Sequence, residues 1–564
     1  MNILLLADAF DSLTQRVYAE LGDHGHSVVV EQVPHRADVA GIVGRHRPEL
    51  ILAPVLTAVV PREVRSAYPC LVVHPGPAGD RGPSSVDRAV HEGVREWGVT
   101  VSQAVEETGA GDVWATVACQ VPAVAKSDLY RNEIADAALE AVRLAVERVA
   151  SGTYVPVPQE PMARTHPYFR QELRRIDWEA DPTETVLRKL RAADSRPGVL
   201  DTLLGEEWYL YGGHFEDRLT GAPGELLATR AGALCRATAD GAVWIPQLRR
   251  RGGPGEPPGL KLPATLALGA RLPRLPEATA PLDLADDRCT WTDIRYREDG
   301  RTGFLRFSFP GGAMSTTHCR RLLAAYRYAR SRPVSVLVLG GGRDFFSNGI
   351  HLNVIEAAAD PAEESWANIN AMDDLVHAVL TTTDRLVVSA LGGNAAAGGV
   401  MLALAADEVW CRAGVVLNPH YRLMGLYGSE YWTYSLPRRV GAGTAERLMD
   451  DALPVSAVAA ERIGLVDRVV DSAPGEFGAQ VAALAVHLAD TPAARARIAA
   501  KKAEREQDEA RKPLAAHREE ELARMRAVLF DRAAPYHARR RAFVRKEPAG
   551  RGRRAVGAPG IGGK

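Results

Sequence analysis

Apolar runs bounded by polar or glycine positions punctuate the first third of the chain at regular intervals: NILLLAD from Asn2, SVVVEQV from Ser27, LILAPVL from Leu50 and CLVVH from Cys70. Between them lie amphipathic stretches such as SLTQRVYAELGDHG, so the pattern predicts parallel strands joined by crossover helices. The helical period returns in NEIADAALEAVRLAVERVASG, which ends at Gly152, and VPVPQEP reads as a linker. Short strand-like runs then follow one another (EWYLYGGHF, GELLATRAGALCRA, GAVWIPQL) up to a proline-containing acidic linker, Pro273 to Asp287. Beyond it GFLRFSF predicts a strand, PGGAMSTTHCRRLLAAYRYA a turn and helix, and VSVLVLGGG a buried strand. A further apolar strand, LVVSAL from Leu386, is broken by Gly392 and Gly393, and Gly398-Gly399 lead into VMLALAAD, a helix apolar on every side and therefore buried. After about Ala494 the residues form a charged amphipathic helical pattern, suited to capping an assembly, to docking on the chain's own site or to lying exposed.

Length suggests roughly three to four domains. Hydrophobic residues make up 46% and charged residues 25%, so most of the chain is expected to fold. A formal net charge of -1 gives no reason to expect a nucleic-acid or membrane partner. From His537 to Lys564, however, nine Lys or Arg face one acidic residue, and the glycine-rich end of this segment reads as a basic disordered tail. The six cysteines are scattered without metal-ligand spacing, which fits a reduced cytoplasmic protein without a metal. MNILLLADAF enters a strand without a basic region or a cleavage site, and no apolar run is long enough to span a bilayer.

Two places carry candidate chemistry. The first turn, ADAFDS, lacks the glycine fingerprint for a nicotinamide or flavin cofactor, which moves attention to the next strand ends. There CLVVH terminates in His74 and a glycine- and proline-rich loop running to Ser85, a setting for acid/base or oxyanion-stabilising work, or for a histidine that only caps its loop. In the stretch Leu386 to Tyr434, free N–H groups at the glycine-bounded helix start suit a carbonyl oxygen that gains negative charge. His420, Tyr421, Ser429 and Glu430 cluster where an acyl group would want an acid and a base; a packed glycine turn without chemistry is the alternative.

The wording HPGPAGDRGPSS, EWGVTV and GAGDVWA resembles folate-dependent formyltransferases. Together with FSNGIHLNVIE, ESWANINAMDDLV, GVVLNPHY and YGSEYWTYSLPRRVG it resembles the hydrogenase-maturation family called HypX or HoxX, whose second half is similar to the crotonase (enoyl-CoA hydratase/isomerase) superfamily. The resemblance implies a multidomain α/β chain: a Rossmann-like formyltransferase domain over 1–155, a small β-barrel-like domain over 156–270, a linker over 271–288, a crotonase-fold domain over 289–490, helices over 491–546 and the tail over 547–564. It implies His74 as the formyltransferase histidine, with Arg81, Gly82, Pro83, Ser84 and Asp112 around the folate. Val72 and Gly109 stand where formyltransferases carry Asn and Asp, leaving Glu106, Glu107 or Asp112 as substitutes for the missing carboxylate. In the crotonase half it implies the N–H groups of Ile350 and Gly398 on a thioester carbonyl, with Asn348, Gly349 and Gly399 lining the coenzyme A site.

Met401 and Pro419-His420 replace the hydratase glutamates, so water addition to an enoyl-CoA is not expected. Glu430 and Tyr421 become the candidate base and acid; the turn MGLYGSE is a residue shorter than the family's, which bears on the distance between them. The implied function is formyl transfer from 10-formyltetrahydrofolate to coenzyme A and then decarbonylation to carbon monoxide, with hydrogenase maturation proteins as partners. Deformylation, a different small acyl-CoA reaction, and a folate-binding scaffold without turnover are the competing readings.

Overall fold

A computed structural model describes residues 1–33, 38–107, 110–159, 164–253, 255–285, 287–547 and 556–557. Gly109 lies outside the described residues, as does most of the tail expectation over 547–564. The chain forms two compact units, one of Met1–Asp177, Glu184–Asp201 and Pro548–Lys564, the other of Trp178–Thr183 and Thr202–Glu547.

In the first unit the predicted apolar runs are strands Asn2–Ala7, Ser27–Gln32, Leu50–Val55 and Cys70–His74. They pair in parallel with Asn2–Ala7 at the centre, flanked by Ser27–Gln32 and Leu50–Val55. Two antiparallel strands, Glu96–Gln103 and Val113–Gln120, extend the sheet beyond Cys70–His74. The helix Glu133–Ser151 ends with Gly152 in the left-handed region, the conformation that closes a helix without a Cβ penalty. Val556–Gly557 pairs with Val29 and Val30 at the sheet's edge.

The second unit begins with small antiparallel sheets. His214–Glu216, Ala242–Ile245, Ala233–Ala237 and Leu226–Arg230 form one, while Glu206–Tyr211, Gln247–Arg250 and Lys261–Pro263 lie together in another. The linker is docked rather than loose, since Pro276 O and Ala278 N hydrogen-bond Thr229. Arginines of the run after Leu248 are answered by carboxylates, Arg251 by Glu207 at 2.9 Å and Arg250 by Glu206 at 3.6 Å.

Successive turns of the following chain each contribute to two sheets. The large sheet takes Ile294–Asp299, Thr302–Phe307, Val336–Gly340, Leu386–Leu391, Glu408–Arg412 and Arg468–Val470; the small one takes Phe345–Ser347, Asn394–Ala396, Val416–Asn418 and Val455–Ser456. Every residue of Val336–Gly340 and Leu386–Leu391 is buried, as their unbroken apolar runs require of strands covered on both faces. The helix Gly398–Leu404 is buried along its whole length. Helices Pro492–Arg511, Leu514–Leu529 and Pro535–Arg545 complete the unit. Among the described residues no helix is long and apolar enough to cross a membrane.

Candidate active sites

In the first unit, His74 leaves its strand into a tight turn, with Gly76 N donating to the His74 carbonyl at 2.8 Å. The ring Nε2 lies 2.8 Å from Asp80 Oδ2. A Cβ on Gly76 would stand 2.4 Å from the ring, 2.5 Å from the Asp80 carboxylate and 2.7 Å from the Ser85 hydroxyl, so glycine there lets the three groups converge. Ser85 and Trp97 both donate to the Pro75 carbonyl, and Thr100 to that of Gly76, which fastens the loop to the sheet. Burial alone would raise the Asp80 carboxyl, but hydrogen bonds from His74 and Ser85 and the charges of His74 and His166 hold it below the usual range.

The carboxylate that His74 meets is thus Asp80, whereas Glu106, Glu107 and Asp112 are exposed. Spacing within the loop contained this signal, because an Asp six residues after the strand's last His can fold back over a glycine turn. The proposed folate residues frame the same loop. Arg81 bridges to Thr165 and faces Glu107 at 3.5 Å. Gly82, at φ 106°, closes so tightly on the His166 carbonyl that a Cβ would stand 2.2 Å from it. Ser84 has φ 66° and precedes the helix Ser85–Glu92, and Pro83 lies between these two positive-φ residues.

In the second unit the site grows from the small sheet. Phe345 pairs with Asn394 and Ser347 with Ala395, all in parallel, while Ala396 pairs with Asn418. Three strand ends thus lie side by side, and the residues following them are Asn348 to Ile350, Ala397 to Gly399, and Pro419 to Tyr421. Their adjacency is close: a Cβ on Gly349 (φ 75°) would lie 3.1 Å from Gly398 N. Among the described residues neither Ile350 N–H nor Gly398 N–H meets a protein acceptor, so both are open to a ligand. Asn348 donates its side-chain amide to Gly311 O, shaping the loop from outside. Gly399 packs on the Ser347 carbonyl, where a Cβ would come within 2.0 Å. Asn368, on the helix Pro361–Leu380, accepts from His351 N and donates to the carbonyl of Met314, the residue bridged to Ile350.

Tyr421 donates its hydroxyl to Glu430 Oε2 at 2.6 Å, so the shortened turn keeps the pair together. The Glu430 carboxylate lies directly over Gly398, since a Cβ there would stand 2.8 Å from its carboxyl carbon. Burial raises the Glu430 carboxyl to about 7 despite the lowering effect of the Tyr421 hydrogen bond. Burial and the Glu430 charge push the Tyr421 phenol well above its ordinary value, so it keeps its proton. His420 turns away, donating Nδ1–H to the Asn418 carbonyl at 2.9 Å. Met401, at the first hydratase position, is fully buried in the core.

Three residues here hold backbone conformations rare for L side chains: Ala397 at φ 47°, Glu430 at 62° and Tyr431 at 58°. Glu430 is held by Asp373 and Tyr431 by Glu521, both buried and both absent from the sequence expectations. Their signal was a carboxylate on an apolar stripe. Asp373 follows Ile369 and Met372 and precedes Val376 at helical spacing, and Glu521 follows Leu514 and His517 and precedes Met525 in the same way. The helix Leu514–Leu529 thus packs against the loop that carries Glu430 and Tyr431. Among the described residues no cluster of His, Cys, Asp or Glu could hold a metal.

The model for the enoyl-CoA hydratase/isomerase family matches residues 309–532, and that for the formyl transferase C-terminal domain matches 169–256. A methionyl-tRNA formyltransferase of Bacillus velezensis is 24% identical over 243 residues, 42% of this chain and 76% of its own. The crystal structure of HypX from Aquifex aeolicus in complex with tetrahydrofolic acid superposes with a TM-score of 0.93 at 42% identity, covering 99% of this chain and 97% of that one. The hydrogenase maturation factor HoxX of Bradyrhizobium diazoefficiens is 47% identical over 555 residues, 98% of this chain and 96% of the relative. With a formyltransferase-like first region and a crotonase-like second one along nearly the whole length of such relatives, the chain belongs to the HypX/HoxX family of hydrogenase maturation factors.

Proposed function

We propose that the chain is a two-step enzyme of the cytoplasm that makes carbon monoxide for hydrogenase maturation. In the first step the thiol of coenzyme A attacks the formyl carbon of 10-formyltetrahydrofolate. The C–N bond breaks, the thiol proton ends on the folate nitrogen, and formyl-CoA is formed. His74, oriented by Asp80, is placed to stabilise the tetrahedral oxyanion or move that proton. Folate binding by the Aquifex aeolicus relative supports the assignment of the first unit. Arg81, Gly82, Pro83, Ser84 and Asp112 remain the proposed folate surroundings.

Formyl-CoA has no alpha carbon, which removes enolate chemistry from consideration. In the second step Ile350 N–H and Gly398 N–H hold the thioester oxygen and Glu430 takes the formyl proton. The C–S electron pair leaves with sulfur, the remaining carbon and oxygen depart as carbon monoxide, and the thiolate is protonated to free coenzyme A. Tyr421, which keeps its proton, donates to the carboxylate and is the candidate acid for sulfur. Exclusion of water matters because water would divert the thioester to formate.

The observation that carries this reading is the buried Tyr421–Glu430 pair seated against Gly398 while Met401 occupies the hydratase position. The carboxylate fills the space beside the candidate oxyanion donor, which favours an acyl group no larger than formyl. The expected partners are the two small molecules and hydrogenase maturation proteins; nucleic acid and membrane are not part of the proposal, nor is a metal. Purified protein given 10-formyltetrahydrofolate and coenzyme A should yield carbon monoxide that deoxyhaemoglobin traps. Formate alone would replace this reading with deformylation, and ligand binding without turnover would replace it with a scaffold.

A further inference from the structure

The base in the second unit stands on an unfavourable backbone. Glu430 and Tyr431 are consecutive left-handed residues, and neither is a glycine or an asparagine. Asp373 Oδ1 accepts the Glu430 N–H at 2.8 Å, and Glu521 Oε2 accepts the Tyr431 N–H at 2.9 Å. Glu521 Oε1 also accepts the Thr433 N–H at 2.8 Å and its hydroxyl at 2.6 Å. The two carboxylates come from different elements, Pro361–Leu380 and Leu514–Leu529, and both are 0% exposed.

We infer that Asp373 and Glu521 are positioning residues: by accepting the N–H groups of Glu430 and Tyr431 they hold this pair in the left-handed region and so fix the Glu430 carboxylate against Gly398 and Tyr421. A carboxyl oxygen accepts an N–H whether or not the group is ionised, and two such bonds oppose the backbone strain at adjoining residues. Three carboxylates buried around one loop are electrostatically unfavourable, so packing stability alone does not account for them. Burial and the charges of Glu430 and Glu521 push the Asp373 carboxyl well above its ordinary range, while Arg518, 3.6 Å away, acts in the opposite direction. The helix carrying Asp373 also carries Asn368, which accepts the N–H of His351 directly after Ile350, so one helix touches the backbone next to the candidate oxyanion donor and that of the base.

This inference rests on the proposed role of Glu430, and two measurements on the full chain separate the two. Freshly prepared formyl-CoA supplied to Asp373→Ala or Glu521→Ala should give carbon monoxide with kcat reduced by about 100-fold and KM little changed, as expected for a displaced catalytic group. Asp373→Asn keeps an oxygen acceptor for the Glu430 N–H and should recover most of the lost kcat. Titration with coenzyme A normalises each rate to folded protein. Independently of turnover, amide hydrogen exchange at Glu430 and Tyr431 should accelerate in the alanine variants and return toward wild type in Asp373→Asn. Unchanged exchange at both amides in the alanine variants would overturn the inference, as would Asp373→Asn behaving like Asp373→Ala in exchange and rate. A wild-type chain without carbon monoxide release would remove the functional reading, while exchange would still decide the positioning.

Discussion

His74 ends its strand with an 18% exposed side chain and an ionised carboxylate 2.8 Å away, whereas Glu430 is 1% exposed and hydrogen-bonded to a phenol. Both are candidate proton-handling groups, His74 at the end of a parallel strand and Glu430 in the loop between the helices Tyr421–Met424 and Trp432–Val440, yet the surroundings act in opposite directions. Hydrogen bonds from His74 and Ser85, with nearby charge, outweigh burial at Asp80 and hold it ionised; burial outweighs the hydrogen bonds at Glu430 and raises it to about 7. The difference matches the chemistry proposed for each. Passing an acyl group between a nitrogen and a sulfur calls for an oriented histidine that bulk water can approach, whereas removing a formyl proton calls for a stronger base in a dry place.

The sharpest break in this comparison is Glu430→Gln. Loss of a general base costs typically 10²–10⁴-fold, so carbon monoxide release should fall by about that factor while formyl-CoA formation persists. Asp80→Ala probes the other side. Without its carboxylate the ring of His74 is no longer oriented, and formyl transfer should fall by about 100-fold with carbon monoxide release from supplied formyl-CoA unchanged. A smaller effect is expected of Tyr421→Phe, which leaves the carboxylate in place but removes the 2.6 Å hydrogen bond that lowers its pKa. Loss of that donor should reduce kcat for the second step by about tenfold, the low end of what a hydrogen bond to a charged group is worth, about 1.5 kcal/mol.

The mildest test is pH. The active form of Glu430 is the carboxylate, so kcat for release from formyl-CoA should rise with pH through about 7 and level off above it. Tyr421, raised well above its ordinary value, gives no alkaline loss in that window. Stability should run the other way: the Glu430 and Glu521 carboxyls are raised to about 7 in the folded chain, so the stability they confer at low pH is lost as pH rises through that value. Paired kcat and thermal-unfolding profiles would therefore slope in opposite directions; parallel slopes would contradict the assignment.

The sheets, the buried helix Gly398–Leu404 and the strand end carrying His74 were legible because apolar runs and glycine breaks record burial directly. Ile350, Gly398, Tyr421 and Glu430 were named as candidates through family wording; the small sheet brings the strand ends before Ile350, Gly398 and Tyr421 side by side, and Glu430 accepts the Tyr421 hydroxyl. Asp80 was on the page as one more loop residue, but only the fold over Gly76 turns it onto His74. Asp373 and Glu521 were legible only as buried carboxylates on their helices, not by what they bind. Each bonds a backbone N–H far away in sequence, 57 residues for Asp373 and 90 for Glu521, and no local pattern records such a partner. The run Arg249 to Arg251 shows the converse: three successive arginines look basic in sequence, but Arg250 faces Glu206 and Arg251 faces Glu207 across the sheet edge.

The most direct test of the two-step account follows a formyl carbon through both sites. Wild type and Glu430→Gln would each receive 10-formyltetrahydrofolate labelled with carbon-13 in the formyl group, together with coenzyme A, and the gas and thioester would be measured by mass spectrometry. The account predicts labelled carbon monoxide from the wild type and labelled formyl-CoA accumulating with the variant. Labelled carbon monoxide released by Glu430→Gln at the wild-type rate, or only labelled formate from the wild type, would contradict it.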